Sequence, residues 1–535
     1  MPEPIYFDAT CYLGNWLRTM PGQPNTPETL LAAMDHFGIH EALVVDTMSM
    51  ATNPMAGNRR ILETVRDHPR LHPAWAGLPT HGRELPPPEE FVAEMRECGV
   101  GALYLFYRHF DIPLESFVVD DLCAALEVAR VPLFLCPNDL MAGGIDRSDW
   151  HNVVRICQTF PNLPVILTEE RLYRGQRPLA EAMAACPNLH LDISTVWLHK
   201  KIEFVSRELG AERLVWGSQM PQRTPGSPLM QLNYSDISER ELALIAGGNL
   251  RRLLSWNPNI AFVDEVRFPE PTDELHRKVR TRASLREERF HDCHGHVGWC
   301  SPYHIVHETP EGLVAEMDKF GEAVCCVFSL QVIGDPVYGN DEVKAMLDQF
   351  PGRFVGFAFV NPNAGEAAML AELQRGLDMG FRGIKLMLDS YGSMSSHADP
   401  VEVPCRFADE HGLFILSHSW GSAERIRELC LKYPRALFIA GHSTPAYAEI
   451  CREVPNLYIC TCPFLAWGQT EQYVQLYGAE RILFGSDLTD LPIAWGMGQI
   501  MYARISEEEK RLILGGNLRR LMDQYGIQPY TQEGP

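Results

Sequence analysis

Short apolar runs alternate with longer amphipathic stretches along the C-terminal half of the chain. Runs of strand length lie at 289–293, 323–328, 354–360, 383–388, 413–417, 437–441, 457–461 and 481–485. Between the first two, Thr309 is placed to cap a helix and Pro310 suits its first turn. Leu313, Val314, Met317 and Phe320 then fall on one face. In the N-terminal half Leu30, Leu31, Met34 and Phe37 keep the same spacing. Eight such alternations predict a parallel (β/α)8 barrel with its chemistry at the C-terminal ends of the strands. An open doubly wound sheet is the other arrangement. It requires a glycine-rich phosphate loop after its first strand, and the sequence has none there.

The pattern occurs twice. Gly-Gly-Asn-Leu-Arg-Arg-Leu at 247–253 returns unchanged at 515–521, and Gly-Ala-Glu-Arg at 210–213 returns at 478–481, both 268 residues on. The helix at 27–38 matches 310–321 at an offset of 283, so small insertions separate the ends. These identities imply a tandem duplication. The charge-dense stretch 263–288 has little periodicity and reads as a linker between barrels at 1–262 and 289–535. Each is near the ~250 residues typical of such a fold.

Composition narrows the partners. The 535 residues are 46% apolar and carry a formal charge of −22, which argues against nucleic acid or an anionic membrane and leaves a small molecule. The opening Met-Pro-Glu-Pro-Ile-Tyr has neither a basic nor an apolar leader pattern, and no apolar run reaches membrane-spanning length. Fifteen cysteines in so long a chain fit reduced thiols, and the expected location is the cytoplasm.

The chemistry concentrates in the second copy. Phe290-His-Asp-Cys-His-Gly-His-Val-Gly298 is a short strand ending in His294 and His296, whose i, i+2 spacing turns both imidazoles to one face. Other polar residues follow other strands: Lys385 after the fourth, His418 after the fifth, His442 after the sixth and Asp487 after the eighth. Each alone fits a capped loop or a hydrogen-bonded core residue. Together they share one mouth of a barrel, which points to a metal centre. Trp299, Tyr303, His304, His307, Tyr391 and Trp420 follow the same strands and are candidates to line the pocket.

In this order of ligands the chain resembles the amidohydrolase superfamily. Gly-Ile-Lys-Leu, Pro-Asn-Leu-Tyr and Arg-Ile-Leu-Phe-Gly-Ser-Asp are similar to its branch of metal-dependent hydrolases and non-oxidative decarboxylases. The resemblance covers 289–522 well and 5–254 in degraded form. It implies one divalent metal held by His294, His296, His418 and Asp487, with His442 beside it. Zinc is the expected metal and manganese the alternative. Asp487 would move the proton of an activated water, and His442 would donate to the developing oxyanion. Some relatives carry a carboxylated lysine after strand four. Here Lys385 is read instead as an ammonium that pairs with a carboxylate, the substrate's own included. Cys460 and Cys462 stand where the branch often has Asp-x-Ser, a pattern kept in the first copy as Asp192-Ile-Ser194; they read as buried free thiols.

In the first copy Thr10 and Tyr12 stand in place of the two histidines. Tyr104 stands opposite Lys385, Pro137 opposite His418, Glu169 opposite His442 and Gln219 opposite Asp487. A metal site is not expected there. Relatives often pair as homodimers, so the first copy is expected to pack on the second as an intrachain pseudo-dimer, with further self-association open. Arg171, Arg174 and Arg177 are read as a solvated edge or as groups lent to the live pocket. The activity expected is metal-dependent hydrolysis of an amide, lactone or ester in a small carboxylated molecule. A decarboxylase or hydratase with the same ligands is the enzymatic alternative, and a non-catalytic scaffold the third reading.

Overall fold

In a computed structural model of the chain, sixteen strands form two eight-stranded sheets. All residues are described except 1–3, 18, 138–147, 169–175, 300–305, 307–308, 389–393, 443 and 533–535. The first sheet runs β1 (Phe7–Leu13), β2 (Glu41–Asp46), β3 (Leu71–Ala76), β4 (Leu103–Leu105), β5 (Leu133–Leu135), β6 (Val165–Leu167), β7 (Leu189–Asp192) and β8 (Leu214–Val215). The second runs β9 (Phe290–Val297), β10 (Glu322–Ser329), β11 (Phe354–Phe359), β12 (Gly383–Leu386), β13 (Phe414–Ser417), β14 (Leu437–Ala440), β15 (Leu457–Cys460) and β16 (Ile482–Leu483). Every neighbouring pair is parallel and sequential, as strands joined by crossover helices require. Each sheet curls until its ends meet. Ala9 N–H donates to Trp216 O at 3.0 Å, and Cys293 N–H donates to Phe484 O at 2.8 Å. The chain is two tandem (β/α)8 barrels.

The identical Gly-Gly-Asn segments explain themselves at this seam. A Cβ on Gly247 would stand 2.4 Å from Ile5 O, and one on Gly515 would stand 2.6 Å from His291 N. Only glycine lets the last helix approach the first strand so closely. Asn249 Nδ2 then donates to Ala211 O and Leu214 O, both at 2.8 Å. Asn517 repeats the clamp on Ala479 O at 2.8 Å and Ile482 O at 2.9 Å. The barrel interiors are filled in the usual way, by Phe357, Leu416, Ile439 and Leu483 in one and Phe134, Ile166 and Val215 in the other.

Within the segment read as a linker, residues from Thr272 onward group with the second compact unit. Asp273 caps a helix at Glu274–Arg280 whose Leu275 and Val279 are buried. The buried Lys510 ammonium reaches Asp273 at 2.8 Å. Polar surface hid a short helix that is held by an apolar stripe and by ion pairs, Lys510 to Asp273 and Lys278 to Glu288 among them. No helix among the described residues is long and apolar enough to cross a membrane.

Candidate metal centre

The site begins with a backbone irregularity. Along β9, Asp292 pairs with Cys325 and Gly295 with Val327, so Cys293 and His294 together oppose Cys326 alone. This bulge re-aims the strand end. Asp292 pins it, accepting His294 N–H at 2.7 Å and Ser486 N–H at 3.1 Å, and so ties β9 to the turn after β16. Burial pushes the Asp292 pKa up to about 7 against those hydrogen bonds. After Ser486 comes Asp487 in the left-handed region (φ 63°), where its backbone oxygen accepts Asp490 N–H at 2.9 Å and Leu491 N–H at 3.0 Å. A short acidic side chain is among the few that tolerate this conformation.

Three predicted ligands converge on one point. His296 Nε2 lies 3.4 Å from Asp487 Oδ1 and His294 Nε2 lies 3.6 Å from it, and one ligand atom from each residue falls within 4.8 Å of the others. The two rings stand 5.2 Å apart at 87°. His418 is one ring further out, 6.3 Å from His294 between centroids, and His442 stacks on His418 at 4.6 Å. His442 is exposed, while His418 is half-buried.

Electrostatics keep the rings neutral. Burial, then the charge of Lys385, push His294, His296 and His418 well below the usual histidine range, so the rings are unprotonated. Lys385 is itself fully buried. Its Nζ lies 3.0 Å from His294 Nε2 and 4.4 Å from the Phe328 ring centre, and burial lowers its pKa to about 8. Burial raises Asp487, against the Cys462 thiol hydrogen-bonded to it and the Lys385 charge. Two neutral imidazoles and a carboxylate converging on one point suit a divalent cation.

Further residues around the centre were not singled out as ligand partners from sequence. Cys460 Sγ is 3.9 Å from His294 Nδ1, and Asp490 Oδ2 is 4.0 Å from His296 Nδ1. Burial and the charge of Asp487 push Asp490 well above the usual carboxylate range. Trp420 is not a pocket residue: it is fully buried and its indole N–H donates to Ile439 O at 2.9 Å. Trp299 is half-exposed. Tyr303, His304, His307 and Tyr391 lie outside the described residues. A second group, Asp292, Glu322 and Cys325, is also close-packed and buried. Its Asp292 is already engaged by backbone donors, and Glu322 has the Cys325 thiol beside it.

The same backbone in the first barrel carries different side chains. Asp8 accepts Thr10 N–H at 3.1 Å and Ser218 N–H at 2.9 Å, and β1 has the same bulge between its Asp8 and Cys11 pairs. Tyr12 belongs to the apolar core, and Tyr104 stacks on Phe134 at 4.4 Å while its hydroxyl donates to Ala9 O. Gln219 keeps the left-handed backbone (φ 58°) and accepts from Arg223 Nε at 3.0 Å. Pro137 is buried and has no ligand atom. Glu169, Arg171 and Arg174 lie outside the described residues, and Arg177 is exposed.

Among solved structures, the chain is similar to an uncharacterized TIM-barrel protein from Bordetella bronchiseptica, with 18% identity over 41% of this chain and 84% of that one and a TM-score of 0.36. It is similar to 2,6-dihydroxybenzoate decarboxylase from Rhizobium, with 17% identity over 44% of this chain and 99% of that one and a TM-score of 0.37. It is also similar to 5-carboxyvanillate decarboxylase from Sphingomonas paucimobilis, with 15% identity over 47% and 99% and a TM-score of 0.37. No curated protein matches it. The family model described as amidohydrolase matches residues 8–256 and 332–523, which spans most of both barrels. The chain belongs to the amidohydrolase family, whose enzymes are metal-dependent.

Proposed function

We propose that the second barrel is a metal-dependent hydrolase that cleaves an amide, lactone or ester of a small carboxylated molecule. One observation carries the reading: His294, His296 and Asp487 present neutral nitrogens and a carboxylate to a single point at the strand ends. A divalent metal bound there supplies Lewis-acid activation, with zinc favoured by the two imidazoles and manganese the alternative. Asp487, its pKa raised by burial, takes the proton of the attacking water and returns it to the leaving nitrogen or oxygen. His442, exposed beside His418, donates to the substrate oxygen that gains charge. Lys385 supplies a fixed positive charge that keeps the imidazoles neutral and attracts a substrate carboxylate. The first barrel is the second one's intrachain partner without a metal of its own, in a chain that works in the cytoplasm.

The test is a screen of lactones, amides and aromatic carboxylates in 18O-labelled water with elemental analysis of the purified chain. One metal ion per chain and label in the product are expected. Carbon dioxide released without uptake of label would replace hydrolysis by decarboxylation on the same residues. A metallated chain without turnover on any of these classes would return the scaffold reading.

A further inference from the structure

His296 has two ring nitrogens and only one is accounted for. Its Nε2 faces Asp487 Oδ1 at 3.4 Å, while its Nδ1 is buried and has no hydrogen-bond partner among the described residues. A ring that ligates through Nε2 carries its proton on Nδ1, and a buried N–H without an acceptor costs ~1–3 kcal/mol. The carboxylate facing that nitrogen is Asp490, with Oδ2 at 4.0 Å and an Oδ1 that is itself buried and without a partner. At 4.0 Å this is not yet a hydrogen bond. Two polar groups, each with an atom that lacks a partner among the described residues, face each other across that gap.

The backbone makes the pairing specific. Asp490 N–H donates to Asp487 O at 2.9 Å, so one turn sets the two carboxylates on either side of the His296 ring. The first barrel keeps that turn, with Gln222 N–H on Gln219 O at 2.9 Å. There, 268 residues upstream, both carboxylates are amides, and the ring between them is replaced by Tyr12. Gln222 Nε2 has turned instead to Met50 Sδ at 3.3 Å. The turn survives in both barrels; the acid pair accompanies the imidazole.

We infer that Asp490 is the positioning residue of His296: its carboxylate accepts Nδ1–H and fixes the tautomer and ring angle that aim Nε2 at the metal point. Asp490 touches neither substrate nor metal in this role. It raises the basicity of the ring through the far nitrogen, as carboxylates behind metal-bound histidines do. The cation, in turn, opposes the burial that disfavours the Asp490 charge. The inference rests on the metal-centre reading above, and its test separates the two.

The full chain is stripped of metal and titrated with Zn2+ against a chromophoric chelator, as wild type, Asp490→Ala and Asp490→Asn. Asp490→Ala is expected to bind Zn2+ about 10- to 100-fold more weakly, with Asp490→Asn in between because it keeps an acceptor oxygen. In 15N-edited spectra of the Zn2+-loaded chain, the slowly exchanging Nδ1 proton of His296 is expected in wild type and absent in Asp490→Ala, while the His294 signal persists. Metal-free melting of the variants controls for folding, and Asp490→Asn carries the test if Asp490→Ala does not fold. Zn2+ affinity of Asp490→Ala within about twofold of a tight wild type overturns the role of Asp490 alone. A wild type that takes up no Zn2+ overturns the metal centre and this inference together.

Discussion

At the end of its first strand the second barrel carries His294 and His296 where the first carries Thr10 and Tyr12, yet the bulge beneath them is the same. Asp8 and Asp292 grip the same two backbone amides, and the pKa of each is pushed up to about 7 by burial. Gln219 and Asp487 hold the same left-handed backbone. The same backbone scaffold therefore persists under two different sets of side chains. What differs is the set of side chains that point inward. In one barrel they are polar and converge; in the other, Tyr12 and Tyr104 join the core, and Tyr104 stacks on Phe134. Residues that close the barrel and residues that do chemistry are separable, although they alternate along the same strand.

The largest effect should fall on the converging side chains. His294→Ala or His296→Ala is expected to empty the site and lower turnover on the order of 10³-fold, read by elemental analysis and steady-state rates. Tyr12→Phe and Gln219→Ala, at the matching positions of the first barrel, should change neither metal content nor rate. Metal loss on the first-barrel changes would break the comparison outright. Asp487→Asn sharpens it: a lost general base lowers kcat by ~10²–10⁴-fold.

The shared scaffold predicts equal effects. Asp8→Ala and Asp292→Ala each leave two buried amides without an acceptor, at ~1–3 kcal/mol apiece. Denaturant unfolding of the full chain should show similar losses for the two. Only Asp292→Ala should also weaken metal binding, because only there does the bulge aim a ligand. Below these come Gly247→Ala and Gly515→Ala, each forcing a Cβ into backbone at 2.4 Å or 2.6 Å for a cost of ~1–3 kcal/mol. A marked asymmetry between the two glycines would mean that the seams are not equivalent.

How much of this was legible beforehand varied with the kind of signal. The strands were readable because each is a buried apolar run; observed β10 is one residue longer than expected at each end, and β11 one residue shorter at its C-terminal end. The strand expected at 289–293 instead continues to Val297, because the Asp292 clamp carries pairing past the bulge. His294, His296 and Asp487 were readable from their places after strands one and eight. The placing of His418, 6.3 Å from His294 between ring centroids, and of His442, 4.6 Å from His418, depends on packing that periodicity does not encode. The helix at Glu274–Arg280 was missed although its signal was present: an Asp273 cap and apolar Leu275 and Val279 four apart, obscured by surrounding charge. Asp490 was legible only by laying the two turns side by side, where two acids in one copy are two amides in the other.

The smallest expected effect tests where the second barrel departs from the first without a catalytic reason. Aligned on Gly38 and Gly321, Glu322 stands opposite Ile39, a fully buried apolar residue. Glu322 is buried as deeply, beside Asp292 and the Cys325 thiol. Burial first, and then the Asp292 charge, hold its pKa well above the usual glutamate range. From about pH 4.3 upward the unfolded chain releases this proton while the folded chain keeps it, so Glu322 costs stability as pH rises. Glu322→Ile is therefore expected to stabilise the chain by ~1–3 kcal/mol near neutral pH. Its advantage over wild type should shrink as the pH falls toward 4.3, because both states then hold the proton. Chemical denaturation of the two proteins across that pH range reads the difference directly. An advantage independent of pH would assign the gain to packing, whereas a loss of stability would mean that the buried acid has a partner which the apolar residue of the first barrel does not need.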